Sequence, residues 1–94
     1  MLRINVTSGP DGATIALEGR LIGPWVAELD GCWQRLRHSP VPICVELDGV
    51  SFIDAGGRAL LDAMYADGVE LIATDVMMRA VVEEIAARAP RSRR

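Results

Sequence analysis

Apolar and polar positions alternate at the start of the chain, where Leu2, Ile4 and Val6 are interleaved with Arg3, Asn5 and Thr7. A period of two predicts a half-buried strand, and Gly9-Pro10-Asp11-Gly12 supplies a turn into a second inward pair, Ile15 and Leu17. Strands so closely linked run antiparallel, so residues 2 to 18 read as a β-hairpin that Gly19 to Gly23 then leave. From Pro24 the spacing becomes helical: Trp25, Leu29, Cys32, Trp33 and Leu36 form one stripe, with proline in the first turn and a stop near His38-Ser39-Pro40. Ile43, Val45 and Leu47 predict a short third strand, and Asp48 to Ile53 a loop. Asp54 is placed to cap a helix carrying Leu60, Leu61, Met64 and Tyr65 inward and ending before Gly68. A fourth strand over Val69 to Ala73 leads to Asp75, a second candidate cap, and to a helix with Met78, Val81, Val82 and Ile85 on one stripe.

The order ββαβαβα predicts an α/β fold with a four-stranded mixed sheet: an N-terminal antiparallel hairpin followed by parallel crossovers. Right-handed crossovers in a sheet that grows in one direction put the helices on one face. The strands sort accordingly. Leu2, Ile4, Val6, Ile15, Leu17, Ile43, Val45, Leu47, Val69 and Leu71 fall on the covered face, against Arg3, Asn5, Thr7, Glu18, Glu46, Glu70 and Thr74 on the open one; Cys44 and Ile72 break the pattern.

Ninety-four residues allow one domain, half of it apolar and only 4% aromatic, so the core is aliphatic. We place that domain at residues 1 to 87, with an arginine-rich tail from 88 to 94. All 10 basic residues are arginine; residues 1 to 87 hold six of them against all 13 acids, a net charge of −7. Such a body repels nucleic acid and anionic lipid, which leaves proteins or small ligands as partners. The sequence shows no signal peptide and no run of roughly 20 apolar residues, so a cytoplasmic protein without membrane insertion is expected. Cys32 and Cys44 read as buried reduced thiols. A single histidine, His38, and no His/Cys cluster argue against a metal site, and no cofactor motif is present. His38 suits a helix C-terminus, and Glu83-Glu84 a solvated face. High surface relative to volume leaves apolar surface for a partner or a homodimer, with Trp25 or Trp33 as a candidate.

Phe52-Ile53-Asp54-Ala55-Gly56-Gly57-Arg58-Ala59-Leu60-Leu61 carries the most information. Two glycines at a helix start are unexpected, since a glycine inside a helix costs about 1 kcal/mol relative to alanine. One explanation is capping by Asp54 with close helix–sheet packing; the other is a side-chain-free helix start that receives a phosphate or a protein. No serine sits in a nucleophile elbow and no phosphate-binding loop is present, so catalysis is not expected.

This stretch resembles the signature of STAS domains, the family of anti-sigma-factor antagonists, in which a strand and loop end in Asp-Ser-Ser-Gly or Asp-Thr-Gly-Gly before a helix. The element order and Leu17-Glu18-Gly19-Arg20-Leu21 are also similar, over roughly residues 4 to 87; the family's last strand–helix unit is missing or reduced. In the antagonists the residue after the motif aspartate is phosphorylated by a partner kinase that is itself an anti-sigma factor. Ala55 stands there and Gly56 follows, so the resemblance implies a regulatory domain of transcription signalling without the switch. Leu21, Gly23, Trp25, Asp54, Ala55, Gly56, Gly57 and Arg58 would bind the anti-sigma factor or serine-kinase-like protein. The Asp-X-Gly-Gly form followed by Ala-Leu-Leu is also similar to stand-alone STAS subunits of bacterial phospholipid-transport ABC systems, which bind the ATPase; there X is often threonine. Binding of a small ligand or nucleotide at this helix start is a third reading, with Arg58 and Arg20 as its basic groups.

Overall fold

The computed structural model describes residues 1 to 38 and 41 to 88. Ser39, Pro40 and the tail from Ala89 lie outside the described residues. Strand β1 (Leu2–Gly9) turns through Pro10-Asp11 into β2 (Gly12–Leu21), followed by α1 (Pro24–Leu36), β3 (Ile43–Ile53), α2 (Ala55–Ala66), β4 (Glu70–Ile72) and α3 (Val76–Arg88). The sheet order is β1-β2-β3-β4, with β1 antiparallel to β2 and the other neighbours parallel. The expected ββαβαβα architecture is thus observed.

The core lies between one sheet face and the helices. Ile15, Leu17, Leu21, Val45 and Leu47 from the strands meet Leu29, Cys32 and Trp33 of α1, Leu61 and Met64 of α2, and Met78 and Ile85 of α3. Each helix contributes the stripe that its spacing predicts; Trp33 is buried and Trp25 half-buried. Asp75 caps α3, its Oδ1 accepting the Met78 N–H at 2.9 Å. Helices α2 and α3 lie side by side and parallel, because Arg58 pairs with Glu84, and Asp62 with Arg88 one turn further along both. Glu84 is therefore an ion-pair partner of α2. Arg88, placed at the head of the tail by composition, is the last residue of α3.

Five expectations are corrected. The Asp48–Ile53 stretch is strand, and Gly19 to Leu21 stay in the sheet, because the two segments pair with each other beyond irregularities at Ala16/Glu18 and Gly19/Arg20. Gly49 makes the pairing possible: a Cβ there would lie 2.7 Å from both Glu18 Cγ and the Leu17 carbonyl. Val6 is 44% exposed and Ile4 only half-buried, because the outer part of β1 extends beyond the helical layer. Strand β4 is three residues long, since Asp48 accepts the Thr74 N–H where ladder pairing would continue. Cys44 is half-buried on the open face with its thiol directed at Thr14 Oγ1, whereas Cys32 is buried as expected.

Candidate functional site

Strands β2 and β3 end side by side, and the site is assembled where the chain leaves them, from the loop at Ile22-Gly23 and the start of α2. Asp54, in extended conformation at the N-cap of α2, binds in three directions. Its Oδ1 accepts the Gly57 N–H at 2.8 Å, its Oδ2 accepts the Gly23 N–H at 2.9 Å, and its own N–H donates to the Leu21 carbonyl at 3.1 Å. One carboxylate thereby joins the start of α2 to the β2–α1 loop. The Gly23 and Gly57 amides hold the Asp54 carboxyl below the usual carboxylate range, Gly23 contributing most. Gly23 reaches this position with φ of 56°, a left-handed conformation natural to glycine, and its carbonyl accepts the Val26 N–H to start α1.

The two glycines of α2 have different roles. A Cβ on Gly57 would lie 2.8 Å from the Leu21 carbonyl oxygen and 2.9 Å from Leu21 Cγ, so this residue is buried where helix and strand touch. Gly56 is exposed, with Asp54 Oδ1 at 3.5 Å as the nearest neighbour of an added Cβ. Both explanations of the Gly-Gly pair thus have a physical carrier: close packing at the second glycine and a bare surface at the first.

Of the eight residues proposed for partner contact, Gly23, Ala55 and Gly56 are exposed, and Trp25, Asp54 and Arg58 are partly so. Leu21 and Gly57 are corrected: Leu21 is fully buried and Gly57 is covered, so both support the surface from beneath. Arg58 is engaged by Glu84, which removes it as a free anion contact. Sequence reasoning missed Phe52, which is 55% exposed. Ile53 packs beneath Gly57, so strand alternation turns Phe52 to the opposite, open sheet face beside Arg20, its register neighbour. Assigning residues 48 to 53 to a loop hid that alternation. No hydroxyl stands at position 55 or 56, and that of Ser51, three residues before Asp54, donates to the Gly19 carbonyl at 3.3 Å.

Two shallow depressions, of about 340 and 360 Å³, lie at the other end of β3. Arg37, Ile43 and Asp67 line one; Thr14, Cys44 and Glu70 line the other. Among the described residues no three His, Cys, Asp or Glu side chains are grouped to hold a metal, and no helix is long and apolar enough to cross a membrane.

No family model and no curated protein matches the sequence. Several solved structures match the fold, among them the following two. A crystal structure of Mglu superposes with a TM-score of 0.60 and 24% identity over 76% of this chain, and the match spans only 19% of that protein. An uncharacterised DUF3478-family protein from Shewanella loihica PV-4, described as having a SpoIIAA-like fold, superposes with a TM-score of 0.63 over 95% of this chain and 80% of its own, at 9% identity. The chain has a SpoIIAA-like fold. This is the STAS, or anti-sigma-antagonist, fold that the Asp54 motif implied, and it puts Asp54-Ala55-Gly56-Gly57 at the strand-to-helix junction where the resemblance requires it.

Proposed function

We propose that this STAS-fold chain is a non-catalytic docking module that binds a folded protein of the anti-sigma-factor, serine-kinase-like ATPase class, independently of phosphorylation. The observation that carries this reading is the surface at the start of α2: Ala55 and Gly56 are exposed and bare, and Asp54 clamps them to Gly23 beside half-buried Trp25. A preorganised, side-chain-poor surface lets a partner approach the backbone closely with little loss of conformational freedom. A hydroxyl at position 55 would allow a phosphate to introduce further negative charge there; alanine admits none. The acidic body favours a partner with a basic contact surface.

The test is affinity capture from the native host followed by titration of the recovered partner against the chain and against Gly56→Arg. Recovery of a kinase-like ATPase whose affinity falls at least about tenfold with folded Gly56→Arg is expected. Recovery of an ABC ATPase would retain the surface and reassign the partner class. Unchanged binding by Gly56→Arg would remove this surface from consideration.

A further inference from the structure

The two outer strands of the sheet differ in how they are protected against pairing with another chain. Strand β4 is three residues long and begins with the exposed Glu70, features that discourage edge-to-edge pairing. Strand β1 runs for eight residues without proline, and its register with β2 shows no bulge. Its single charge, Arg3, already faces Glu18 of the same chain at 3.8 Å. Half-buried Ile4 and exposed Val6 lie on the helix side of the sheet with no helix fully covering them.

The direction of the free backbone groups follows from one bond. The Met1 carbonyl accepts the Arg20 N–H at 3.1 Å, so odd-numbered residues of β1 bond toward β2, and Leu2, Ile4, Val6 and Ser8 direct theirs outward. A two-fold axis through Asn5, perpendicular to the sheet, sets Leu2 opposite Ser8 and Ile4 opposite Val6 of a second copy. All four outward residues then join the ladder, giving about eight hydrogen bonds, against about six for the neighbouring registers centred on Ile4 or Val6. The same register places Ile4 on Val6 across the interface and Arg3 opposite Thr7, with no like charges facing each other. The geometry points to a homodimer formed by antiparallel β1–β1 pairing, which joins two four-stranded sheets into one of eight strands and covers Ile4 and Val6. Its buried area, on the order of 1,000 Å², is at the low end for specific complexes, which suits a weak, reversible dimer. The interface uses the edge farthest from β4 and leaves the start of α2 free.

Sedimentation of the full chain over a concentration series tests the pairing. The wild type is expected to dimerise reversibly. Val6→Pro removes one outward N–H while sparing the bonds to β2, and should raise the dimer dissociation constant at least about tenfold with the circular dichroism unchanged. Asn5→Cys gives an independent reading: facing Cα atoms at a non-hydrogen-bonded pair lie about 4.5 Å apart, within reach of a disulfide. Oxidation should therefore crosslink Asn5→Cys, but neither the wild type nor Thr7→Cys. A wild type that is monomeric at several hundred micromolar, a dimer insensitive to folded Val6→Pro, or equal crosslinking of Asn5→Cys and Thr7→Cys would overturn the proposal.

Discussion

Replacing either of the two adjacent glycines by alanine should change stability in opposite directions. Alanine is favoured over glycine by about 1 kcal/mol in a helix interior and by less in the first turn, so Gly56→Ala, whose new methyl meets nothing closer than 3.5 Å, should stabilise by about 0.5 kcal/mol. At Gly57 the same gain is opposed by contacts of 2.8 Å to the Leu21 carbonyl and 3.0 Å to Ile53 Cγ2. The carbonyl is backbone and also accepts the Asp54 N–H, so relief requires α2 to move off the sheet. Overpacking of this kind typically costs about 1–3 kcal/mol, which outweighs the propensity gain and leaves Gly57→Ala destabilised by about 1–2 kcal/mol. With a urea dependence of about 1 kcal/mol per molar for so small a domain, the midpoints of the two variants should differ by about 2 M. Equal midpoints, or a more stable Gly57→Ala, would refute the division between a packing glycine and a surface glycine.

Three further outcomes are expected. Leu61 is fully buried on the inner face of α2, so Leu61→Ala should lose about 2–5 kcal/mol in urea unfolding, a large part of the roughly 5–14 kcal/mol available to a domain of this size. Arg37, stacked 4.9 Å from the centroid of Trp33 and paired with Asp67, joins the end of α1 to the end of α2; both contacts are solvent-screened, so Arg37→Ala should cost only about 1 kcal/mol and shift Trp33 fluorescence. The carboxyls of Asp54 and Asp48 are lowered, by the Gly23 and Thr74 amides respectively as the largest cause, so their stabilisation is complete above the ordinary aspartate pKa and is lost as pH falls through the folded values. Unfolding midpoints should consequently fall below about pH 4, and more shallowly in Asp54→Asn than in the wild type.

Element order and the covered face were legible because each segment's period is local: Ile43, Val45 and Leu47 alternate, and Leu61 and Met64 share a helical stripe, whatever lies around them. Strand length was not, since Asp48 to Ile53 become strand only by pairing with Glu18 to Leu21, about 30 residues away, over a glycine that admits the Glu18 side chain. The exposure of Val6 likewise depends on how far the helical layer extends across β1. At the site, the motif located Asp54 and its capping role, but the bond from Asp54 to Gly23 joins residues 31 apart, and the Arg58–Glu84 pair joins residues 26 apart. Position along a helix also could not show which glycine touches the sheet. That depends on where Leu21 ends β2.

In the proposed function, docking at Ala55 needs no phosphorylation switch. The most direct measurement tracks binding and intact mass together while the captured ATPase and the chain are incubated with ATP, using the wild type, Ala55→Ser and Ala55→Asp. The wild type should keep its mass and its binding, Ala55→Asp should weaken binding at least about tenfold, and any phosphate acquired by Ala55→Ser should reduce its binding in proportion. Phosphate appearing on the wild type, or undiminished binding by Ala55→Asp, would rule out a switch-free docking surface at Ala55.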